Sequence, residues 1–152
     1  MDFLSMIREA RFVDLKAGSK EEALRELVDV LSHNPNVTNS EEFLRCIFER
    51  EKLISTGVGI GVALPHVKIS SVKDFVLAVG RSHRGIDFQS LDDKPVHLVA
   101  MIGASDKQSG EFLKVLARLV LQLKDKDFRR EVMLAKNPDE VAKLFLQMAQ
   151  KT

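Results

Sequence analysis

One histidine in this sequence follows a stretch in which glycine alternates with other residues. Residues 55–66 read Ser-Thr-Gly-Val-Gly-Ile-Gly-Val-Ala-Leu-Pro-His, so the chain passes three glycines before it reaches Pro65 and His66. Proline fixes its own φ and holds the preceding residue extended, so the segment that presents His66 is stiff. A fixed imidazole can attack phosphorus with one nitrogen while a hydrogen bond orients the other. The stretch therefore predicts that His66 takes part in phosphoryl transfer.

Other kinds of phosphate-binding loop do not match this stretch. The Rossmann fingerprint requires a strand before the glycines and a helix after them, whereas here a helical pattern comes first and an extended segment follows. A P-loop would need Gly-Lys-Ser or Gly-Lys-Thr, which the stretch lacks. A flexible connection between a helix and a strand is the simpler alternative, and the glycines alone do not decide between the two. If the segment does bind a phosphoryl group, backbone N–H groups and the hydroxyls of Ser55 and Thr56 are the candidate donors.

An arginine precedes the glycine stretch at the end of a helical pattern. Arg50 follows Phe43 and Ile47 at the spacing of one helical face, so we expect it to lie towards the core side of the helix. A guanidinium in such a place seeks an anion. That anion is either a transferred phosphoryl group or a carboxylate, for example that of Glu51.

The order of these residues resembles the phosphohistidine motif of enzyme IIA of the fructose/mannitol class, from the bacterial phosphoenolpyruvate-dependent sugar phosphotransferase system. The motif comprises Arg50-Glu51 and residues 55–66, and the similarity extends over nearly the whole chain. It implies that His66 accepts a phosphoryl group from the phosphocarrier HPr or a paralogue, with Arg50 beside it. Because no IIB or IIC segment is attached, the chain is most similar to the stand-alone nitrogen-regulatory IIA branch, whose members act by phosphorylation-dependent contact with other proteins.

The same resemblance implies protein partners and no cofactor. The phosphoryl donor is itself a protein, so we expect neither a metal ion nor an organic cofactor. The resemblance leaves open whether a further partner is a IIB component, a transporter or a sensor kinase. An alternative is a binding module of the same fold that regulates a transporter, kinase or transcription factor without being phosphorylated. Phe112 keeps that alternative open, because it stands where the family often has a second histidine facing the active one. Ile60 also departs from many relatives, which carry asparagine there.

Composition narrows the partner class and the location. Lys and Arg number 23 against 22 Asp and Glu, which gives a net charge of +1, and no dense basic block argues for nucleic acid. The single cysteine, Cys46, excludes a disulfide within the chain and leaves no CxxC pair for zinc. No apolar run approaches the roughly 18 residues of a membrane span. The N-terminus does not resemble a signal peptide. We expect a cytoplasmic protein without membrane insertion.

The hydrophobic pattern predicts a single α/β domain over residues 1–152. Two nearly continuous apolar runs, 72–80 and 96–103, indicate strands buried on both faces, which requires helices above and below the sheet. Turns are predicted at 84–87 and 91–95. The family resemblance adds that the sheet is mixed, with helices packed on both of its faces.

Helix-start signals divide the rest of the chain. Ser19 and Glu22 have the spacing of a capping box. Ser40 is predicted to cap a second helix, and Asn137 followed by proline marks the start of the last one. Between them, an apolar stripe over 112–123 predicts a long amphipathic helix. The reactive segment thus lies between the second helix and the first buried strands.

Overall fold

The computed structural model describes residues 1–53 and 55–151, which form a mixed β-sheet between two layers of helices. The helices are α1 (Phe3–Glu9), α2 (Lys20–Ser32), α3 (Ser40–Leu53), α4 (Ser109–Lys124), α5 (Lys126–Leu134) and α6 (Pro138–Lys151). The strands are β1 (Arg11–Asp14), β2 (Gly57–Gly59), β3 (Val62–Ala63), β4 (His66–Lys68), β5 (Val76–Ile86) and β6 (Val96–Ala104). None of these helices has the length and apolar character needed to cross a bilayer.

Strand β6 lies in the middle of the sheet and pairs with three others. β5 runs antiparallel along one side of β6, and β1 lies parallel to β5 at that edge. β3 and β4 run parallel to β6 on its other side, β3 along its first half and β4 along its second half, and β2 pairs with β3. The sheet is therefore mixed, as the family resemblance implies.

Strands β3 and β4 are two pieces of one path, interrupted at Leu64 and Pro65. Proline has no N–H to donate, so the ladder of hydrogen bonds is broken there. The Pro65 carbonyl still accepts a hydrogen bond from the Ile102 amide at 3.0 Å. The chain then resumes pairing at His66, opposite Ile102. This break fixes the place at which the histidine leaves the sheet.

Each face of the sheet carries its own apolar core, which confirms the prediction of helices on both faces. α1, α4, α5 and α6 pack on one face, against alternate residues of the central strands such as Leu77 and Ile102. α2 and α3 pack on the other face, against the intervening residues such as Ala78 and Met101. Alternation of side chains across the strand explains why both apolar runs are nearly continuous.

Two of the three predicted helix caps form as expected. The Ser19 hydroxyl accepts from the Glu22 amide at 3.2 Å and donates to its carboxylate at 3.0 Å. Asn137 accepts from the Glu140 amide at 3.0 Å. The predicted cap at Ser40 is wrong by one residue. Asn39 caps α3 instead, because its side-chain oxygen accepts from the Glu42 amide at 3.0 Å, and Ser40 is the first helical residue.

The boundaries of the first long strand also differ from the prediction. β5 begins at Val76 rather than at residue 72, because Val72 forms an isolated antiparallel bridge with Val37 and the Lys73 amide donates to the Asn36 carbonyl at 2.9 Å. The turn predicted at 84–87 is wrong, since β5 continues to Ile86. An irregularity in its pairing with β6 absorbs the extra residues. Gly85 supplies the positive φ of 85° that this irregularity requires.

Candidate active site

The ring of His66 is held by a different contact at each nitrogen. Nδ1 lies 2.7 Å from the carbonyl oxygen of Leu64, and Nε2 lies 3.1 Å from Nη2 of Arg50. A carbonyl oxygen only accepts hydrogen bonds and a guanidinium only donates them. Nδ1 therefore carries the hydrogen, and Nε2 presents a lone pair. The imidazole is half-buried, with the tautomer that a nucleophilic Nε2 requires.

Arg50 reaches this nitrogen from the last turn of α3. The prediction that it lies towards the core side is wrong, since the side chain is exposed and the buried residue of that turn is its neighbour Glu51. The alternative of an ion pair with Glu51 does not form either. In the described part of the chain, no carboxylate lies within ion-pair distance of Arg50. Its charge is available to an anion placed at Nε2 of His66.

Glu51 connects three separate parts of the chain behind the site. Its carboxylate lies 2.5 Å from Nζ of Lys20, at the start of α2. It also accepts from the backbone amide of Thr56 at 3.1 Å and from the Thr56 hydroxyl. The end of α3 is thereby tied to the segment that leads to His66. Sequence reasoning missed this role, although a carboxylate that continues the buried stripe of α3 after Ile47 was the available signal.

The two hydroxyls predicted to bind a phosphoryl group already donate to other acceptors. Ser55 Oγ donates to the Phe88 carbonyl at 2.6 Å and accepts from the Gly57 amide at 3.1 Å. The Thr56 hydroxyl donates to Glu51. Both side chains therefore fold the segment onto its surroundings in this structure. A direct role for Ser55 and Thr56 in phosphoryl binding stays a prediction.

The three glycines build a tight hairpin from β2 and β3. Gly57 allows close packing, because a Cβ at that position would lie 2.2 Å from the Ser90 hydroxyl oxygen. Gly59, Ile60 and Gly61 all have positive φ, at 90°, 56° and 78°. Positive φ at both central residues of a two-residue hairpin loop is the requirement of a type I′ turn. The glycines thus supply backbone conformations that lead the chain into the reactive segment.

Phe112 faces the imidazole across the gap between β4 and α4. It lies in the first turn of α4 and is 7% exposed, and its ring centroid lies 5.6 Å from that of His66. A second link joins the same elements, because Lys68 Nζ donates to the Ser109 hydroxyl at 2.9 Å. The phenyl ring offers apolar surface and no hydrogen-bond donor.

Within residues 1–53 and 55–151, no three His, Cys, Asp or Glu side chains are grouped as metal ligands would be.

Known proteins resemble this chain in sequence and in fold. Nitrogen regulatory protein from Bradyrhizobium diazoefficiens is 33% identical over 133 residues, which cover 88% of this chain and 86% of that protein. The fructose-specific EIIABC component from Bacillus subtilis is 33% identical over 135 residues, but the chain spans only 21% of its length. The crystal structure of nitrogen regulatory protein IIA-Ntr from Neisseria meningitidis superposes with a TM-score of 0.81 at 31% identity, over 93% of both chains.

The family match covers almost all of the chain. The family described as "Phosphoenolpyruvate-dependent sugar phosphotransferase system, EIIA 2" matches residues 6–148. That range contains His66, Arg50, the hairpin and Phe112. The mixed sheet between two helical layers agrees with the IIA-Ntr structure. The chain therefore belongs to the EIIA 2 family of the phosphoenolpyruvate-dependent sugar phosphotransferase system.

Proposed function

We propose that this protein is a phosphocarrier in which His66 accepts a phosphoryl group from an HPr-like phosphohistidine. It then passes the group on or signals through phosphorylation-dependent binding to other proteins. One observation carries the proposal: Nδ1 of His66 donates to the Leu64 carbonyl, while Nε2 faces a guanidinium that no described carboxylate neutralises. A histidine with a merely structural role would gain nothing from an unpaired cation beside its free lone pair.

The transfer step follows from this geometry. The Nε2 lone pair of His66 attacks phosphorus, and a new N–P bond forms as the bond between phosphorus and the donor imidazole breaks. The donor ring leaves with that electron pair. The Leu64 carbonyl, still accepting from Nδ1, stabilises the positive charge that develops on the attacking ring. Arg50 then exchanges its contact with Nε2 for charge-assisted bonds to the phosphoryl oxygens.

We further propose that the protein is of the nitrogen-regulatory IIA type, with an HPr-like protein as donor. The similarity to nitrogen regulatory protein from Bradyrhizobium diazoefficiens, at 33% identity, and to the IIA-Ntr structure from Neisseria meningitidis, at 31% identity, supports this proposal. A IIB component, a transporter or a sensor kinase is the corresponding downstream partner. A cytoplasmic location stays a prediction.

Reconstituted phosphorylation tests the proposal. The purified chain is incubated with labelled phosphoenolpyruvate, enzyme I and HPr, and we expect one acid-labile phosphoryl group on each molecule. His66→Ala should take up no label. His33→Ala is the matched control, because His33 is exposed in the turn after α2, and it should be labelled like the parent. Equal labelling of folded His66→Ala and the parent would show that another residue accepts the group.

The alternative is a binding module of the same fold that is not phosphorylated. The contact between Phe112 and His66 favours it, because the ring removes a hydrogen-bond donor from the position where relatives often have histidine. On this alternative, the folded protein stays unlabelled with every HPr paralogue of its own organism. A protein captured by the parent would then also be captured by His66→Ala, since recognition would not depend on the phosphoryl group.

A further inference from the structure

A pocket between the hairpin turn and α5 is lined by basic side chains. Its volume is about 240 Å³, and the residues that matter here are Gly61, His97, Lys126, Arg129, Arg130 and Met133. In the described part of the chain, its lining contains no carboxylate. We call it the α5 pocket. None of its lining residues is among the contacts of His66 described above.

The charges of α5 are sorted between two faces of the helix. Lys126, Arg129, Arg130 and Met133 recur at the spacing i, i+3, i+4 and i+7, which is one helical face, and all of them line the α5 pocket. The acidic residues Asp127 and Glu131 line a different depression, against α6. The basic face begins at the N-terminus of the helix, which the Asp125 carboxylate caps by accepting from the Phe128 amide at 2.9 Å. The side-chain cations of this face are therefore what would attract an anion.

One of these cations is fixed in place by the backbone. Arg129 Nη1 donates to the carbonyls of Leu123 and Lys124, both at 2.8 Å, which leaves its other guanidinium nitrogens available. Lys126 and Arg130 are exposed, and neither forms an ion pair with any described carboxylate. A positioned guanidinium beside two unneutralised cations is suited to a doubly charged group.

We propose that the α5 pocket binds a small phosphate ester. The phosphate dianion would lie among Lys126, Arg129 and Arg130, and a compact organic group would pack on Ile60 and Met133 at the apolar part of the lining. The volume of about 240 Å³ suits a molecule of the size of a pentose phosphate.

The ligand would also bear on the reactive segment, a consequence that rests on the proposed function. The Gly61 carbonyl accepts from the amides of His97 at 2.8 Å and Leu98 at 3.1 Å. The turn and the pocket therefore share backbone hydrogen bonds, and the turn leads through β3 directly to His66. A bound ester that contacts Gly61 restrains the hairpin and so changes the rate at which His66 is phosphorylated.

Binding is tested without any transfer reaction. Ribose 5-phosphate and inorganic phosphate are titrated separately into the isotope-labelled, unphosphorylated protein, and its amide resonances are followed by NMR. We expect saturable shifts at Gly61, Leu98 and Arg130, and an affinity that falls as salt is added. Arg130→Gln should weaken binding about tenfold, the effect of one charge-assisted contact. Arg8→Gln removes an exposed arginine of α1 and should leave the affinity unchanged.

Several results would overturn the assignment. One is the absence of saturable shifts, and another is a set of shifts confined to Arg50 and His66. The others are equal affinities of the parent and Arg130→Gln, and binding of an acidic peptide but of neither phosphate probe. A second arm measures phosphorylation of His66 with and without ribose 5-phosphate, where the parent should respond and Arg130→Gln should not. If His66 is not phosphorylated at all, the proposed function is contradicted. The NMR titration tests binding to the α5 pocket independently of that result.

Discussion

The ring of Phe112 packs on the imidazole of His66, with 5.6 Å between their centroids and 48° between their planes. The contact joins the first turn of α4 to the start of β4. A side chain at position 112 therefore lies beside the reactive ring, and its chemistry bears on the phosphoryl group that the ring would carry. A phenyl ring shields that group from water on one side and gives it no donor.

Phe112→His should therefore move the exchange equilibrium with phosphorylated HPr towards this protein. The new N–H donor can bond to a phosphoryl oxygen, and a hydrogen bond to a charged group contributes about 1.5–3 kcal/mol, which is a shift of roughly tenfold or more. The measurement is the fraction of each protein labelled at equilibrium. Phe112→Leu is the control, because it alters packing without adding a donor. An unchanged equilibrium in folded Phe112→His would mean that the phosphoryl group lies away from position 112.

Arg50→Ala should slow phosphorylation of His66 by roughly 100-fold or more, the typical loss when one charge-stabilising donor is removed. The same change should alter the free energy of unfolding by less than about 0.5 kcal/mol, because the side chain is exposed. Arg50→Lys should recover part of the rate, since an ammonium cannot make a forked contact. Rates from rapid quench and urea titrations of each variant separate the two effects. A variant that unfolds yet transfers normally per folded molecule would assign Arg50 a structural role.

Glu51→Gln should destabilise the protein, because it leaves Lys20 without its counter-ion in a poorly solvated place. The Lys20 side chain is 18% exposed. We therefore expect a loss of about 2–3 kcal/mol in the free energy of unfolding, somewhat below that of a fully buried pair. Lys20→Met combined with Glu51→Gln should recover part of that loss, since no charge is left unpaired. If the loss in the double variant equals the sum of the losses in Glu51→Gln and in Lys20→Met alone, the ion pair contributes nothing of its own.

The reactive centre could be predicted from local sequence because its parts are close along the chain. Pro65 and His66 are adjacent, and helical spacing brings Arg50 to the end of the preceding helix. The side of the helix on which Arg50 lies could not be predicted, because the apolar stripe continues equally well to residue 50 or 51. In the structure the buried residue is Glu51, and its ion-pair partner Lys20 lies in another helix, α2. Such a partner is set by packing and leaves no local pattern.

The boundaries of the strands could also be predicted only in part from the sequence. The apolar runs identified the two central strands, since burial on both faces requires continuous apolar sequence. The extension of β5 through Gly85 to Ile86 depends on pairing with β6 and on the glycine's positive φ. An Arg-Gly pair otherwise resembles a turn.

Ile60→Asn should stabilise the fold. Ile60 has a φ of 56°, and a β-branched side chain in the left-handed region is unfavourable, whereas asparagine tolerates it and is preferred at this position of a type I′ turn. The side chain is 50% exposed, so little apolar burial is lost. We expect a gain of about 1 kcal/mol in the free energy of unfolding, measured by urea titration. Val58→Asn is the control at a similarly exposed residue without positive φ, and it should give no gain. A loss of stability on Ile60→Asn would indicate that the isoleucine makes a favourable contact on this surface.

The last prediction concerns Arg81, which joins the sheet to α5 from a buried position. Its side chain is 3% exposed, and the guanidinium donates to both carboxylate oxygens of Asp14, at 2.7 Å and 3.2 Å. It also donates to the carbonyls of Val132 and Ala135, at 2.8 Å and 2.7 Å, at the end of α5. The hydrogen bond from Arg81 holds the pKa of Asp14 below its ordinary value, against the opposing effect of burial.

Because the pKa of Asp14 is lower in the folded protein than in the unfolded chain, its contribution to stability is fully present above the unfolded value, which is about 3.9. That contribution is lost as the pH falls through the folded pKa, where the carboxylate takes up a proton and releases Arg81. The free energy of unfolding of the parent should therefore decrease with acidification below about pH 4 more steeply than that of Asp14→Asn. The effect should be modest, because the Asp14 side chain is 43% exposed. Other carboxylates titrate in both proteins, so the difference between the two curves isolates Asp14, and parallel curves would show that its bond to Arg81 does not depend on charge.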